Sequence, residues 1–163
     1  MTNKKDGPTW QFYWDASVFL SAINANPDRL PVIQAILDDC DEGKSNIYTS
    51  MLSITEVAFA TTEKDSGVLD EQAEKAIEKL WLPPSPIKLV EVHGPILQDA
   101  KALMRDGITR GFALKPADAI HLATAKRLQV DRVHTYDPKW LKYGDIIGCT
   151  ISEPAIDRIA FTQ

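Results

Sequence analysis

The pattern that decides the fold lies in residues 116–135, which begin Pro116-Ala117-Asp118-Ala119-Ile120-His121-Leu122-Ala123-Thr124-Ala125. Proline suits the first position of a helix, and the helical pattern continues to Leu128. Asp118, His121 and Thr124 are the only polar side chains from 117 to 125, so we predict a largely buried helix. Residues 132–135 then read as a short strand, which makes this stretch one helix-and-strand unit of a parallel sheet.

The same alternation runs through the rest of the chain. Strands are predicted at 10–14, 47–49, 87–92, 132–135 and 148–151. Helices are predicted at 18–25, 31–40, 53–62, 71–80, 95–104 and 117–128. Alternation at this spacing implies βαβ units, that is, a parallel sheet with helices on both faces. Such a sheet binds its ligands at the carboxyl ends of the strands.

The composition is typical of one soluble globular domain. The 163 residues are 44% hydrophobic and include only 8 glycines and 10 prolines, which excludes disordered, collagen-like and low-complexity chains. We predict a single domain over 10–163 after a disordered lead-in over 1–9, because a boundary at the Pro-rich stretch 83–86 would leave halves too small to close a core. The net charge of −5 argues against nucleic-acid binding through a bulk positive field.

The two cysteines and the polar start of the chain indicate a cellular setting. Cys40 and Cys149 are far apart and fit no zinc-binding spacing, which favours a reduced, cytoplasmic environment, although the sequence also permits one disulfide. No apolar run approaches the roughly 18 residues of a membrane span. The polar residues 1–9 contain no hydrophobic segment of the kind found in a secretory signal.

Several α/β families are excluded by their motifs. Neither the G-x-G-x-x-G of dinucleotide-binding folds nor the G-x-x-x-x-G-K-[ST] of P-loop proteins occurs. The segment after the first strand lacks the D-x-D of haloacid-dehalogenase-type phosphatases and the second serine of a von Willebrand-type metal site; it reads Asp15-Ala16-Ser17-Val18-Phe19. The paired acidic residues of a response-regulator receiver are missing as well.

Four acidic residues stand at positions where a carboxylate is costly or aimed at the strand ends; they are Asp15, Glu56, Asp118 and Asp137. Asp15 and Asp137 follow predicted strands, and Asp118 lies in the first turn of the buried helix. Glu56 falls on the apolar stripe of the predicted helix 53–62, where it needs a partner or a metal ion. Helix capping and turn formation explain the three aspartates equally well, and the Glu56 side chain can also reach the surface.

Together these carboxylates predict a cation site. Strand ends and the first turn of a helix face the same edge of a βα sheet, so the four side chains are expected to converge. Converging carboxylates repel one another unless a cation is present. Hard oxygen ligands without a thiolate or imidazole cluster favour Mg²⁺ or Mn²⁺.

In this order, four segments of the chain resemble a PIN domain, especially the VapC-type toxin ribonucleases; they are Asp15-Ala16-Ser17-Val18-Phe19-Leu20, Ser53-Ile54-Thr55-Glu56-Val57, Pro116–Ala125 and Thr135-Tyr136-Asp137. The resemblance extends from about residue 10 to residue 150 and is most specific over 118–125. Two departures from the family pattern are Trp14, where a smaller apolar residue is usual, and Tyr136-Asp137-Pro138, which lacks a second acidic or amide residue.

The resemblance implies a three-layer α/β/α fold with a central, mostly parallel sheet of about five strands. It implies a Mg²⁺- or Mn²⁺-dependent endoribonuclease, frequently a homodimer, paired with a cognate antitoxin. The family's acidic quartet, which acts in catalysis and metal binding, maps onto Asp15, Glu56, Asp118 and Asp137, and its strand-end hydroxyl maps onto Thr135. Ser17 is a second candidate for a supporting hydroxyl, while turn formation explains both hydroxyls equally.

Other residues have two interpretations each. His121 is a candidate base, but a buried histidine one turn past Asp118 is more often a hydrogen-bonded core residue. Four basic side chains near the strand ends are either phosphate contacts or ordinary surface charges, namely Arg105, Arg110, Lys115 and Lys139. The apolar residues 51–60 either line a groove for a partner or belong to the core.

Two alternatives to the ribonuclease toxin stay open from sequence. One is a PIN-like binding or assembly module without catalysis, and the other is a metal-dependent DNA nuclease or phosphatase that uses the same carboxylates. For an RNA substrate we predict recognition in single-stranded or looped regions and binding that depends on the metal ion.

Overall fold

Five parallel strands form one sheet in the computed structural model, which describes residues 8–156. They are β1 (Trp10–Trp14), β2 (Ser45–Ser50), β3 (Ile87–Val90), β4 (Arg132–His134) and β5 (Thr150–Ser152). Their order across the sheet is β3-β2-β1-β4-β5, so β1 is central and the direction of winding reverses there. Such a reversal opens a crevice at the carboxyl ends of the strands, and here that point lies between β1 and β4.

The described residues form eight α-helices and one 3₁₀ helix. The α-helices are α1 (Ala16–Ile23), α2 (Leu30–Asp41), α3 (Leu52–Glu56), α4 (Thr61–Ser66), α5 (Glu71–Trp81), α6 (Gly94–Thr109), α7 (Pro116–Leu128) and α8 (Gly144–Ile147). The 3₁₀ helix spans Pro138–Tyr143. This mixed architecture with an all-parallel sheet confirms the predicted fold class.

Two apolar clusters fill the two sides of the sheet. One contains Tyr13 together with buried residues of α6 and α7, and the other contains Phe12, Trp14 and buried residues of α1 and α2. Neighbouring side chains of a strand point to opposite faces, so the aromatic strand β1 supplies both cores. Its central position therefore follows from its sequence, because only a strand covered on both faces is apolar at consecutive positions.

The predicted helix over 53–62 is wrong, because two short helices take its place. The helix α3 ends at Glu56, and the buried Val57 leaves the helical conformation with φ −103° and ψ 45°. The chain resumes a helix at Thr61, where the buried Glu63 carboxylate accepts the backbone N–H groups of Ala60 and Asp70, both at 2.8 Å. Capping by a side chain three residues ahead overrides the helical pattern.

Most other boundaries agree with the predicted elements to within a few residues. The strand over 10–14 and the helix after Pro116 are confirmed, and α1 begins at Ala16 because Asp15 caps it. No helix in the described part of the chain is long and apolar enough to cross a membrane. Cys40 and Cys149 are both free thiols. The predicted lead-in over 1–9 lies, apart from its last two residues, outside the described residues, and the domain limits stay a prediction.

Candidate active site

The candidate site lies at the crevice between the carboxyl ends of β1 and β4. Asp15 follows β1 directly, and its backbone N–H donates to the carbonyl oxygen of His134 at 3.3 Å. Thr135 follows β4, and its backbone N–H donates to the carbonyl oxygen of Ser152 on β5. The two strand ends are thus tied together, and the side chains that follow them are held near one another.

Asp15 is the most firmly held carboxylate of the predicted quartet. It is only 5% exposed. Its Oδ1 accepts the Ser17 backbone N–H at 3.1 Å and the Ser17 hydroxyl at 2.5 Å, and its Oδ2 accepts the Thr135 hydroxyl at 2.6 Å. Asp15 therefore caps α1, as one interpretation of the sequence proposed, and at the same time presents a fixed carboxylate at the crevice.

Burial raises the pKa of Asp15 above the usual range of an aspartate, because a charged carboxylate loses water contacts. The hydrogen bonds from Ser17 and Thr135 favour the charged form and oppose this rise. A carboxylate has roughly four lone-pair directions, so two well-bonded oxygens still have acceptor capacity. A cation at the crevice would complete that capacity and favour the ionised form.

Ser17 and Thr135 also fasten the loop that carries Asp137. The Ser17 hydroxyl oxygen accepts the backbone N–H of Tyr136 at 2.9 Å, and the Thr135 hydroxyl oxygen accepts the backbone N–H of Asp137 at 3.0 Å. Each hydroxyl therefore donates to Asp15 and accepts from the chain after β4. Their turn-forming and supporting roles coincide in one hydrogen-bond network.

Asp118 is half-buried at the third position of α7, where the partial positive charge of the helix N-terminus favours an anion. Burial raises its pKa, and the charges of Asp137 and Glu56 raise it further, while Lys115, and His121 in its protonated form, lower it. No hydrogen bond or ion pair to residues 8–156 engages this carboxylate. Asp118 therefore shares one electrostatic environment with two other members of the quartet and has its oxygens free.

Asp137 caps the 3₁₀ helix that begins at Pro138. Its Oδ1 accepts the Lys139 backbone N–H at 3.0 Å, as the Asp-Pro turn predicts, and its side chain is half-buried. Its charge raises the pKa of Asp118 and also that of Tyr143. The capping role leaves the second carboxylate oxygen available as an acceptor.

The expectation that Glu56 lies on a buried apolar stripe is wrong. Glu56 is the last residue of α3, so the neighbours three and four positions ahead are not on a helix with it, and its side chain is 32% exposed. It nevertheless has a partner, since its Oε1 lies 2.5 Å from Nε2 of His121. Glu56 thus projects from a single helical turn toward α7.

His121 is fully buried, as predicted, and both ring nitrogens make hydrogen bonds. Its Nδ1 lies 2.6 Å from the Tyr13 hydroxyl, and its Nε2 reaches Glu56. The contact with Tyr13 joins residues 108 apart in the chain, and sequence reasoning missed it. The available signal was the tyrosine hydroxyl between the apolar residues Phe12 and Trp14, because a buried tyrosine normally needs a polar partner.

Two of the four candidate phosphate contacts, Arg110 and Lys115, differ in their surroundings. Arg110 is exposed and pairs with Asp106 at 2.9 Å, one turn earlier on α6. Lys115 is exposed at the start of α7, and its charge lowers the pKa of Asp118. A further cation that the sequence did not single out is Arg29, whose guanidinium lies 4.0 Å from the centre of the Tyr136 ring. Lys115 is therefore a better candidate than Arg110.

The donor chemistry of the quartet fits a hard divalent cation. All four side chains offer carboxylate oxygens, and the mutual repulsion that raises the pKa of Asp118 is what a cation would relieve. In the described part of the chain, no three His, Cys, Asp or Glu side chains are drawn together closely enough to form a ready-made metal centre. The carboxylates are coupled electrostatically at one edge of the sheet, but they do not form a preformed metal site.

Comparison with known proteins gives one family and one fold. Residues 12–146 match the model of the PIN domain family. The chain matches no curated protein sequence. Among solved structures it is similar to VapBC2 from Rickettsia felis bound to a promoter DNA fragment, with a TM-score of 0.61 and 16% identity over 88% of this chain and 97% of that chain.

Two further solved structures share the fold. FitAcB from Neisseria gonorrhoeae gives a TM-score of 0.59 with 21% identity over 88% of this chain and 97% of that chain. VapC20 from Mycobacterium tuberculosis, described as a sarcin–ricin loop cleaving toxin, gives a TM-score of 0.61 with 14% identity over 82% of this chain and 95% of that chain. At these identities the structural likeness establishes the fold.

Proposed function

The chain belongs to the PIN domain family, and from that premise we propose that it is a metal-dependent endoribonuclease and the toxin of a type II toxin–antitoxin pair. One observation carries the proposal. The buried Asp15 stands beside the crevice where Asp118 is electrostatically coupled to Asp137 and Glu56. An edge at which acidic side chains raise one another's pKa is suited to a divalent metal ion and, through it, to a phosphodiester.

The residues divide the work by how they are held. Asp15 is fixed by the hydroxyls of Ser17 and Thr135, so it would serve as the rigid ligand and the reference point of the site. Asp118 and Glu56 keep acceptor oxygens and would complete the metal binding, with Asp137 acting directly or through water. Lys115, at the start of α7, is the proposed contact to a substrate phosphate.

PIN nucleases generally use divalent metal ions. When bound, Mg²⁺ or Mn²⁺ would lower the pKa of a water molecule and stabilise charge on the attacking and leaving oxygens of an in-line displacement. The protein's own share is positioning. The Asp15 carboxylate, fixed at a strand end, needs little rearrangement, so it lowers the entropic cost of assembling the reacting groups.

RNA is the substrate that we propose. The acidic edge repels an RNA backbone until a cation is bound, so binding of RNA is expected to rise with Mg²⁺ or Mn²⁺ and to fall with EDTA. The likeness to VapC20, which is described as cleaving the sarcin–ricin loop, favours a structured, looped RNA over a duplex. RNA binding that EDTA leaves undiminished would contradict this part of the proposal.

An antitoxin is the proposed protein partner. A cavity of about 220 Å³ opens between α3, α4 and α5 and is lined by Ile54, Phe59, Leu69 and Trp81, with Glu74 and Glu78 among its walls. Phe59 is 43% exposed and Leu69 is 76% exposed, which is unusual for large apolar side chains so close together. The groove suits a partner helix with apolar side chains and a basic flank, and toxin–antitoxin complexes share this fold.

The catalytic proposal is tested with purified full-length protein and a structured RNA. Cleavage is measured with Mg²⁺, with Mn²⁺ and with EDTA, for the wild type and for the double variant Asp15→Asn, Glu56→Gln. A surface double variant, Asp65→Asn, Glu71→Gln, makes the same change of charge away from the crevice and controls for bulk electrostatics. We expect cleavage only in the wild type and the surface control; equal cleavage by the site variant would refute the assigned carboxylates.

The toxin proposal is tested in cells. Expression of the wild type is expected to arrest growth, and co-expression with the product of a small neighbouring reading frame is expected to restore it. Replacement of Leu69 by Asp in the groove should weaken that rescue without weakening the arrest, since Leu69 lies outside the crevice. We also propose a homodimer, which sedimentation of the purified protein measures directly.

A further inference from the structure

A chain of hydrogen bonds runs from the sheet to Glu56 through two buried side chains. The backbone N–H of Ser50, at the end of β2, donates to the Tyr13 hydroxyl oxygen at 3.0 Å. Tyr13 lies 2.6 Å from Nδ1 of His121, and Nε2 of His121 lies 2.5 Å from Oε1 of Glu56. Tyr13 and His121 are buried, whereas the Glu56 side chain is one-third exposed. The chain therefore begins in the core and ends at the crevice.

The contacts of the Tyr13 hydroxyl favour one tautomer of the imidazole. The Tyr13 oxygen already accepts the Ser50 N–H, which favours a hydrogen bond donated by its hydroxyl to Nδ1 of His121. A neutral imidazole that accepts at Nδ1 carries its hydrogen at Nε2. That N–H points at a carboxylate, which makes the second bond a charge-assisted one.

Glu56 depends on this bond for its position. It ends a helix of five residues, and Val57 departs from helical geometry directly after it. Within residues 8–156, His121 is the only group that makes a hydrogen bond or ion pair with the Glu56 carboxylate. A glutamate at the end of one helical turn otherwise has several side-chain rotamers available.

We propose that Tyr13 and His121 are positioning residues, which hold Glu56 at the crevice so that its free oxygen can bind the metal ion. The inference rests on the proposed function for the role of Glu56, while the hydrogen-bond chain itself does not. A histidine that served only the core would satisfy its nitrogens within the core. Here the outer nitrogen reaches a carboxylate on another helix, 65 residues away in the sequence.

The test has a spectroscopic arm that does not depend on activity. Long-range ¹H–¹⁵N spectra of the full chain report which nitrogen of each imidazole carries the hydrogen. We expect His121 as the Nε2–H tautomer, with a proton signal that moves in the Glu56→Gln variant and tautomers that mix in Tyr13→Phe. An Nδ1–H tautomer, or a proton signal that Glu56→Gln leaves unchanged, would overturn the proposed hydrogen-bond chain, whatever reaction the protein catalyses.

The functional arm measures Mn²⁺ binding by calorimetry and RNA cleavage in parallel. His121→Phe is expected to weaken Mn²⁺ binding about 10- to 100-fold, and Tyr13→Phe by a smaller factor, as for other residues that orient metal ligands. His121→Gln, which retains an N–H donor, should recover most of the affinity. His134→Phe, a change at the other buried histidine, should leave affinity unchanged and serves as the matched control.

A double-mutant cycle then separates orientation from general loss of structure. In the Glu56→Gln background, His121→Phe should cause no further loss of Mn²⁺ affinity, because its target is already gone. Additive losses would show that His121 acts independently of Glu56 and would overturn the proposal. Circular dichroism establishes that each variant is folded, and Tyr13→Phe, which keeps the ring, supplies the answer if His121→Phe is not. If the wild type binds Mn²⁺ and cleaves RNA, and His121→Phe does both equally well, the positioning role of Tyr13 and His121 is overturned while the proposed function stands. If the wild type does neither, the proposed function and the role of these residues in metal binding are overturned, while the spectroscopic assignment stands.

Discussion

His121 and His134 are both almost completely buried, yet they occupy opposite sides of β1 and have different surroundings. Tyr13 bonds to Nδ1 of His121, and Trp14, the next residue, donates its indole N–H to Nδ1 of His134 at 3.0 Å. Nδ1 of His134 accepts, so its hydrogen lies on Nε2, and the proposed arrangement gives His121 the same tautomer. For His121 that hydrogen meets Glu56, whereas Nε2 of His134 has no hydrogen-bond partner among residues 8–156.

The two residues teach that a shared tautomer does not imply a shared role. The His134 ring packs against Phe12, with ring centres 4.5 Å apart, and burial lowers its pKa to about 3, with a smaller contribution from the charge of Arg132. His134 is therefore held neutral as a packing residue. His121 has the same local chemistry at Nδ1, and what distinguishes it is the carboxylate at its other nitrogen.

The largest expected effect sets the scale for this comparison. Asp15→Asn removes the charge that Ser17 and Thr135 hold at the crevice, so cleavage should fall by more than about 100-fold, which exceeds the usual cost of losing a residue that only orients a ligand. Single-turnover rates of RNA cleavage measure it. A smaller loss than that caused by His121→Phe would reverse the assigned ranks of ligand and orienting residue.

The second effect is a pH dependence of stability that belongs to His134. Its pKa is about 3 in the folded protein and near 6.5 when unfolded, so below pH 6.5 the unfolded chain binds the extra proton and stability falls as pH falls. Between pH 6.5 and 4.5 the loss should be about 2 kcal/mol, from roughly 1.4 kcal/mol per pH unit. Urea unfolding across this range measures it, with His134→Gln as the reference that lacks the titrating group; equal pH slopes for both proteins would contradict the prediction.

The third effect separates the two aromatic donors. Trp14→Phe leaves Nδ1 of His134 buried without a donor and should lower the free energy of unfolding by about 1 kcal/mol. Cleavage should stay at the wild-type rate, because this bond ends in the core. Tyr13→Phe should cost a similar amount of stability and also slow cleavage. If both variants slow cleavage alike when fully folded, the two histidines do not differ in the way proposed.

The smallest effect concerns a polar pair of similar length at the surface. Arg127 pairs with Asp99 at 2.9 Å, and both side chains are nearly half exposed. Arg127→Ala should change the free energy of unfolding by about 0.3 kcal/mol, since water screens exposed pairs, and should leave cleavage unaltered. Thermal unfolding at low and high salt measures it. A loss of unfolding free energy larger than that of Trp14→Phe would show that burial does not explain the larger contribution of the histidine hydrogen bonds.

The sequence predicts most of the strands and helices that carry this site, but few of the hydrogen bonds between its residues. The aromatic residues in 10–14 predict a strand, and the strand-end rule then brings Asp15 and Thr135 to one edge. Periodicity does not reveal the break after Glu56; its signal is Glu63, whose carboxylate accepts the backbone N–H groups of Ala60 and Asp70, three and seven residues away. The bond between Tyr13 and His121 joins distant parts of the chain, and no local pattern encodes such a pairing.

For protein design, the alternation along β1 makes Tyr13, Trp14 and Asp15 a segment that has to be transferred as a unit. One residue serves the layer of α7, the next serves the layer of α1 and α2, and the third ends the strand at the crevice. Conservative substitutions within this segment alter one function at a time. Inserting or deleting a single residue ahead of this segment would move each side chain to the opposite face of the sheet. Grafting this site onto another parallel sheet therefore requires, before any particular side chain, the same alternation of inward and outward positions along the strand.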